Sequence, residues 1–359
     1  MNALNRLHDL GQSVWLDNIR RELLTSGTLA KWIAELSVTG LTSNPTIFEH
    51  AIGQGADYDD AIRRHAGNGR SPEAVFFDVA LEDITAAADL FRSVHDHSAG
   101  IDGFVSLEVS PALADDAAGT IAEAKRLHAA AARPNVFIKV PGTEAGLHAI
   151  EELILAGVPI NVTLLFSREH YLACAYAYLK GLERRVAAGL APDVASVASL
   201  FISRWDGATQ QLPDGLRDKL GIAIGQRSYK AYRDLLASPR WQGLVRKGAR
   251  PQRLLMASTG TKSKALPDTY YVTALAAPNT VNTMPEQTLL AFADHGELAG
   301  ALPVDGGDCE AVIARVGAAG VDVDALAAEL QIKGRDAFVA SFDSLLARVA
   351  AKMQALRAA

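Results

Sequence analysis

The stretch VFIKVPGTEAGLHAIEELILAGVPINVT, residues 136–163, holds one repeat of the pattern that decides the fold. It opens on a short apolar run, Val136-Phe137-Ile138-Lys139. Residues 143–156 follow, with apolar side chains returning at three- and four-residue steps, as an amphipathic helix requires. A second apolar run, Ile160-Asn161-Val162-Thr163, closes the stretch. Continuous apolar runs are strands buried on both faces, and strands joined through a helix pair in parallel.

Outward from this unit the pattern repeats. Earlier runs are Val14-Trp15-Leu16-Asp17, Gly40-Leu41-Thr42-Ser43-Asn44 and Phe104-Val105-Ser106-Leu107-Glu108. Later ones are residues 194–200, Leu254-Leu255-Met256-Ala257-Ser258 and Thr280-Val281-Asn282-Thr283. Helical patterns at 73–95 and 168–188 lie between them. Eight such strands predict an α/β fold of the closed (β/α)₈ TIM-barrel type. The 359 residues exceed the usual length of roughly 250. The excess falls at 50–100, at 205–250 and after 296. No Pro-, Gly- or Ser-rich linker divides the chain, so one domain, 1–359, is expected, with helical insertions and a helical C-terminal extension from about 308. An open doubly wound sheet is the structural alternative; it needs a Gly-rich first turn, which is missing.

Composition narrows the functions. Hydrophobic residues make up 49% and charged residues 21%, a globular balance. The net charge of −6 argues against nucleic acid as a partner, although a local pocket can still be positive. No run approaches 18 apolar residues, and no basic-then-apolar leader opens the chain, so no membrane partner is expected. Two cysteines, Cys174 and Cys309, read as free thiols of a cytoplasmic protein. No cysteine pair or HExxH has metal-site spacing, and no metal is expected.

The strand ends carry the chemistry. A parallel barrel gathers the C-terminal ends of its strands on one face, where active sites form. Here those ends read Asp17, Asn44, Glu108 and Lys139, then Asn161 with Thr163, Ser199 and Ser258. So many polar endings on apolar strands are hard to assign to structure alone. Of 11 lysines, only Lys139 continues directly from an apolar strand. A neutral buried amine can form a Schiff base with a carbonyl; the alternative is a structural lysine paired with Glu108 or Asp17. The two carboxylates can divide acid and base work; the alternative, a divalent metal between them, competes with Lys139 for the same space and finds no His at a strand end. Asp17 can instead cap a helix starting near Ile19. Arg204, after strand six, and Lys262, in a loop of small residues after strand seven, are candidates for holding a phosphate. Their structural alternatives are a helix ion pair and a solvated lysine. His148 reads as core-packed, and His95 and His97 as surface.

Taken together, the segments GQSVWLD (11–17), GLTSNPTIF (40–48), SLEVSP (106–111), VFIKVPGTEAG (136–146), NVTLLFS (161–167), SLFISRWD (199–206), ASTGTK (257–262) and NTVNTMPE (279–286) resemble the transaldolase family, in a longer form found in many bacteria. The resemblance implies a (β/α)₈ barrel of the pentose phosphate pathway, working without cofactors; a monomer or homodimer is expected. It implies transfer of a dihydroxyacetone unit from sedoheptulose 7-phosphate or fructose 6-phosphate to glyceraldehyde 3-phosphate or erythrose 4-phosphate. Lys139 would be the Schiff-base lysine and Asp17 the base at the C4 hydroxyl. Glu108, aided by Thr163, would move protons through a bound water. Asn44 and Asn161, with Ser199 beside them, would hold the dihydroxyacetone part, and Arg204 the phosphate. The better-known forms carry a second arginine after strand seven. This chain has Ser258-Thr259-Gly260-Thr261-Lys262 there, so Lys262 is the expected substitute. The other readings are a class I aldolase that releases its three-carbon fragment and a silent barrel that only binds sugar phosphates.

Overall fold

A computed structural model describes residues 2–53, 55–67 and 69–358. Its strands are β1 (Gln12–Asp17), β2 (Val38–Thr42), β3 (Val105–Glu108), β4 (Val136–Pro141), β5 (Ile160–Leu165), β6 (Ser196–Phe201), β7 (Gln252–Ala257) and β8 (Thr280–Met284). Each pairs in parallel with the next, and β8 returns to β1, closing an eight-stranded barrel. Every residue of β2 to β8 is buried, because helices cover the outer face and packed side chains fill the interior.

Local chemistry sets each turn. In the stretch 136–163, the Thr143 hydroxyl accepts from Gly146 N at 3.1 Å and caps the helix Glu144–Ala156. Gly157, at φ +82°, ends that helix in the left-handed region. Ser167 caps the next helix, Arg168–Ala187, in the same way. Between β1 and β2, Gly40 lets the Trp15 ring lie against the backbone; a Cβ there would stand 2.5 Å from the indole.

Several strand ends differ from the sequence reading by one to two residues, β2 and β7 ending earlier and β4, β5, β6 and β8 running further. Asn44 lies past the end of β2, and Lys139 is followed by two further residues of β4. The pattern at 73–95 is two helices, Pro72–Leu90 and Arg92–His97, separated at Phe91, whose N–H is shared between Ala87 O and Asp89 O. His148 is exposed on its helix, contrary to the core placement expected from sequence. Asp17 does not cap a helix: the next one is Arg21–Thr25, and it has no side-chain cap.

The C-terminal extension begins with the helix Cys309–Ala318 and ends with a 36-residue helix, Val323–Ala358, about 54 Å long. That last helix lies across the C-terminal mouth of the barrel. The Gln331 amide donates to Gly142 O at 3.1 Å and Leu164 O at 2.9 Å, beyond β4 and within β5. Further along, Ser341 pairs with Thr46 at 2.8 Å, and Ser344 donates to Glu49 at 2.6 Å. Phe342 meets Phe76 edge to face. No helix is long and apolar enough to cross a membrane among the described residues.

Candidate active site

Parallel pairing puts Glu108 beside Lys139 and Lys139 beside Asn161 in the β3–β4–β5 register. At the C-terminal mouth these strand ends enclose a cavity of about 140 Å³. Its wall includes Asp17, Asn44, Lys139, Ser199, Arg204, Ser258 and Lys262, which come from five separate strand ends or the loops after them. Phe338 of the last helix closes one side.

Lys139 is buried, and its Nζ stands 3.3 Å from Glu108 Oε2. The two groups form an ion pair in the barrel interior. The ammonium also donates to Ser43 O at 3.3 Å and faces the Phe338 ring at 5.7 Å. Burial pushes the Glu108 carboxyl above its ordinary pKa; the Lys139 charge opposes that shift, and Asp17 adds to it. Burial likewise raises Asp17, offset by Lys139 and by a 2.7 Å hydrogen bond from the Thr42 hydroxyl. Two acids thus surround one ammonium, each held nearer its neutral form than in water.

Thr163 is fully buried, and its Oγ1 has no hydrogen-bond partner among the described residues; Glu108 Oε2 has only its ion pair with Lys139. Buried polar atoms are rarely left so, which points to a water or substrate atom as their partner. The backbone is bent here: the β5–β6 register shifts between Val162 and Leu165, and Leu164 sits at φ +63°.

Deeper in the barrel, hydrogen bonds cross between strands. Asn161 Nδ2 donates to Ser106 Oγ at 3.1 Å, and the Ser199 hydroxyl donates to Asn161 Oδ1 at 2.7 Å. This chain fixes the Asn161 amide from both ends. Asn44 Oδ1 accepts from Ile47 N at 3.0 Å, capping the helix Pro45–Gly53; its NH₂ group makes no hydrogen bond among the described residues.

At the far side of the cavity stand two cations. Arg204 belongs to the helix Ser203–Ala208, and its guanidinium lies 5.8 Å from the Phe201 ring. Its Nε is buried without a partner among the described residues. Burial lowers the Arg204 pKa, with no acid to offset it. Lys262 is more open to solvent; partial desolvation, then the Arg204 charge, lower its pKa. Neither cation forms a salt bridge among the described residues, so the ion-pair alternative for Arg204 does not describe its surroundings. Ser258, at φ +56°, is on the same cavity wall, and its hydroxyl meets Ser203 Oγ at 2.9 Å. A largely buried guanidinium beside a more exposed ammonium, neither paired with an acid among the described residues, is an arrangement that favours an anion.

The structure therefore gathers Lys139, Asp17, Asn44, Ser199, Arg204, Ser258 and Lys262 around one cavity. Glu108, Asn161 and Thr163 stand behind its wall. Sequence reasoning passed over Thr42, which orients Asp17, and Phe201, although both lie inside the quoted segments. It had no signal for Phe338, since nothing in a helical pattern says which strand ends the helix will cross.

The C-terminal mouth of this parallel barrel thus brings a buried lysine, two acids and two cations without acids to one place. Residues 14–349 match the family described as Transaldolase/Fructose-6-phosphate aldolase, and the chain belongs to that family. It is 44% identical to a protein named Transaldolase from Neisseria gonorrhoeae, over 97% of this chain and 99% of the relative. It is 42% identical to Transaldolase from Frankia alni, over 98% of each. Transaldolase 2 of Streptomyces coelicolor is also 42% identical, over 99% of this chain and 98% of its own.

Proposed function

We propose that this chain is a transaldolase, carrying a dihydroxyacetone unit from a ketose phosphate to an aldose phosphate on Lys139. Family membership and full-length relatives of that name support the activity. The observation that supports the assignment of residues is the buried Lys139–Glu108 contact at 3.3 Å facing two unpaired cations across the cavity.

A resting ammonium is not a nucleophile, so a proton must leave first. Glu108, whose carboxyl is pushed up by burial, is positioned to take it. The amine then adds to the C2 carbonyl of fructose 6-phosphate or sedoheptulose 7-phosphate. The carbinolamine loses its oxygen as water, with the proton supplied by Glu108 through the water that it and Thr163 hold. The resulting iminium is an electron sink. Asp17 removes the C4 hydroxyl proton, and the C3–C4 electron pair moves into the iminium. The aldose phosphate leaves, and an enamine remains on Lys139. Addition to the acceptor aldehyde and the reverse steps complete the transfer. Asn44, Asn161 and Ser199 hold the three-carbon fragment. Arg204, Ser258 and Lys262 hold the phosphate.

The chain works as one barrel domain with its C-terminal extension. It acts in the cytoplasm, as fits two free, buried cysteines, and as a monomer or homodimer.

The test is borohydride reduction in the presence of fructose 6-phosphate, followed by peptide mass analysis. A reduced three-carbon adduct on the peptide holding Lys139 is expected. An adduct on another lysine overturns the assignment. Erythrose 4-phosphate should accelerate turnover of fructose 6-phosphate many-fold; rapid dihydroxyacetone release without an acceptor would make the enzyme an aldolase.

A further inference from the structure

At the opposite end of the barrel the strand N-termini surround a second cavity of about 760 Å³. Ser13, Thr39, Phe104, Phe137, Val197 and Arg253 are on its wall. Most of that wall is apolar, and the Phe104 and Phe137 rings stack with centroids 4.0 Å apart.

Arg253, on β7, is 9% exposed. Its guanidinium donates to Ile101 O at 3.2 Å, Ser13 Oγ at 2.6 Å and Thr280 O at 2.8 Å. All three acceptors are neutral. A guanidinium carries five N–H donors and keeps its proton. Among the described residues, its charge and two of its donors therefore remain without a partner. Among the described residues none of the nearby charged groups forms a salt bridge with Arg253, although Asp102 on the same wall keeps its carboxylate charge. Arg250 is paired with Asp193 and bonds Ala99 O. Asp102 accepts from Trp15 Nε1 at 2.7 Å and from Gly103 N at 3.1 Å. His8 lies 4.0 Å from Asp9.

An uncompensated buried cation beside an apolar cavity of ligand size favours an anion with an apolar body. A phosphate dianion would need several converging cations, and only one is free here. We propose that the N-terminal mouth is a second binding site, for a small aromatic carboxylate, with the acid group on Arg253 and the ring beside Phe104.

Titration calorimetry of the full chain with 1-naphthoate, and with uncharged 1-naphthamide as control, tests the site. The carboxylate should bind about ten- to a hundredfold more tightly than the amide, as a charge-assisted contact implies. Arg253→Lys should lose most of that preference. Because this substitution can disturb Ser13 and Thr280, Val94→Trp serves as the second variant. Val94 lies on the cavity wall in the helix Arg92–His97, only partly buried, and its enlargement leaves the Arg253 bonds in place. It should weaken naphthoate binding tenfold or more, while Arg204→Gln leaves binding unchanged. Equal affinity for the acid and the amide overturns the proposal. So does loss of binding in Arg204→Gln with retention in Val94→Trp, or no detectable binding at millimolar naphthoate.

Discussion

The two mouths of the barrel differ in a way that size alone misreads. The N-terminal mouth has the larger space, about 760 Å³, and the C-terminal mouth only about 140 Å³. Yet the smaller one holds an amine between two acids and two cations without acids. Parallel strands explain the asymmetry. Every strand delivers its last residues to one face, and the loops leaving that face are free to carry reactive groups. At the other face stands a single guanidinium, Arg253, bonded to two backbone carbonyls and a serine. Catalytic capacity follows the convergence of charged groups in poor solvent.

Substitutions at the C-terminal mouth should dominate activity. Lys139→Ala should abolish both turnover and borohydride labelling. Lys139→Arg should do no better, since a guanidinium does not become a nucleophile. Measurable transfer by either variant would break the contrast between the mouths.

Asp17→Asn keeps the size of the side chain and its acceptor for Thr42. It should slow turnover by about 10²- to 10⁴-fold, the usual worth of a general base. The iminium should still form, so the uncleaved ketose adduct should accumulate and be trapped by borohydride. Failure to form any adduct would place Asp17 in the first step instead.

Arg204→Gln should raise KM for fructose 6-phosphate by about ten- to a hundredfold, with a much smaller effect on unphosphorylated fructose. Lys262→Gln should show the same selectivity with a smaller change, because Lys262 is more open to solvent. Equal losses on both sugars would make either residue structural.

Stability offers a subtler test. The folded Asp17 carboxyl has a raised pKa, so the folded state binds that proton more tightly than the unfolded chain. Its favourable contribution is fully present below the unfolded pKa and is lost as pH rises through the folded one. Near neutral pH the ionised Asp17 therefore burdens the fold, and Asp17→Asn should raise Tm there. The gain should shrink as pH falls toward 4. A gain independent of pH would mean that the carboxylate's charge is not its source. The smallest effect belongs to the other mouth: Val94→Trp should leave kcat/KM within about twofold, and a larger loss would show that the two ends communicate.

The fold was legible because its signal is local. Apolar runs broken by three- and four-residue periodicity define strand and helix without knowledge of neighbours, and eight of them leave few ways to close. The helix break at Phe91 was not legible, since no Pro or Gly marks it. His148 was misplaced for a related reason: a helical pattern shows that one face is buried, while the packing of adjacent helices decides where that face ends.

Lys139, Asp17, Glu108 and Arg204 stood out in the sequence because charge at the end of an apolar strand costs free energy that must have a use. The sequence by itself determined the parallel barrel, the face on which polar strand ends meet, and the residue types available there. Tertiary structure alone decided that Glu108 stands 3.3 Å from Lys139, that Arg204 and Lys262 lack acids, and that Phe338 closes the cavity. The physical reason is range. Strand and helix depend on neighbours a few residues away, whereas these contacts depend on how distant segments pack, and only the closed barrel with the last helix laid across it brings them together.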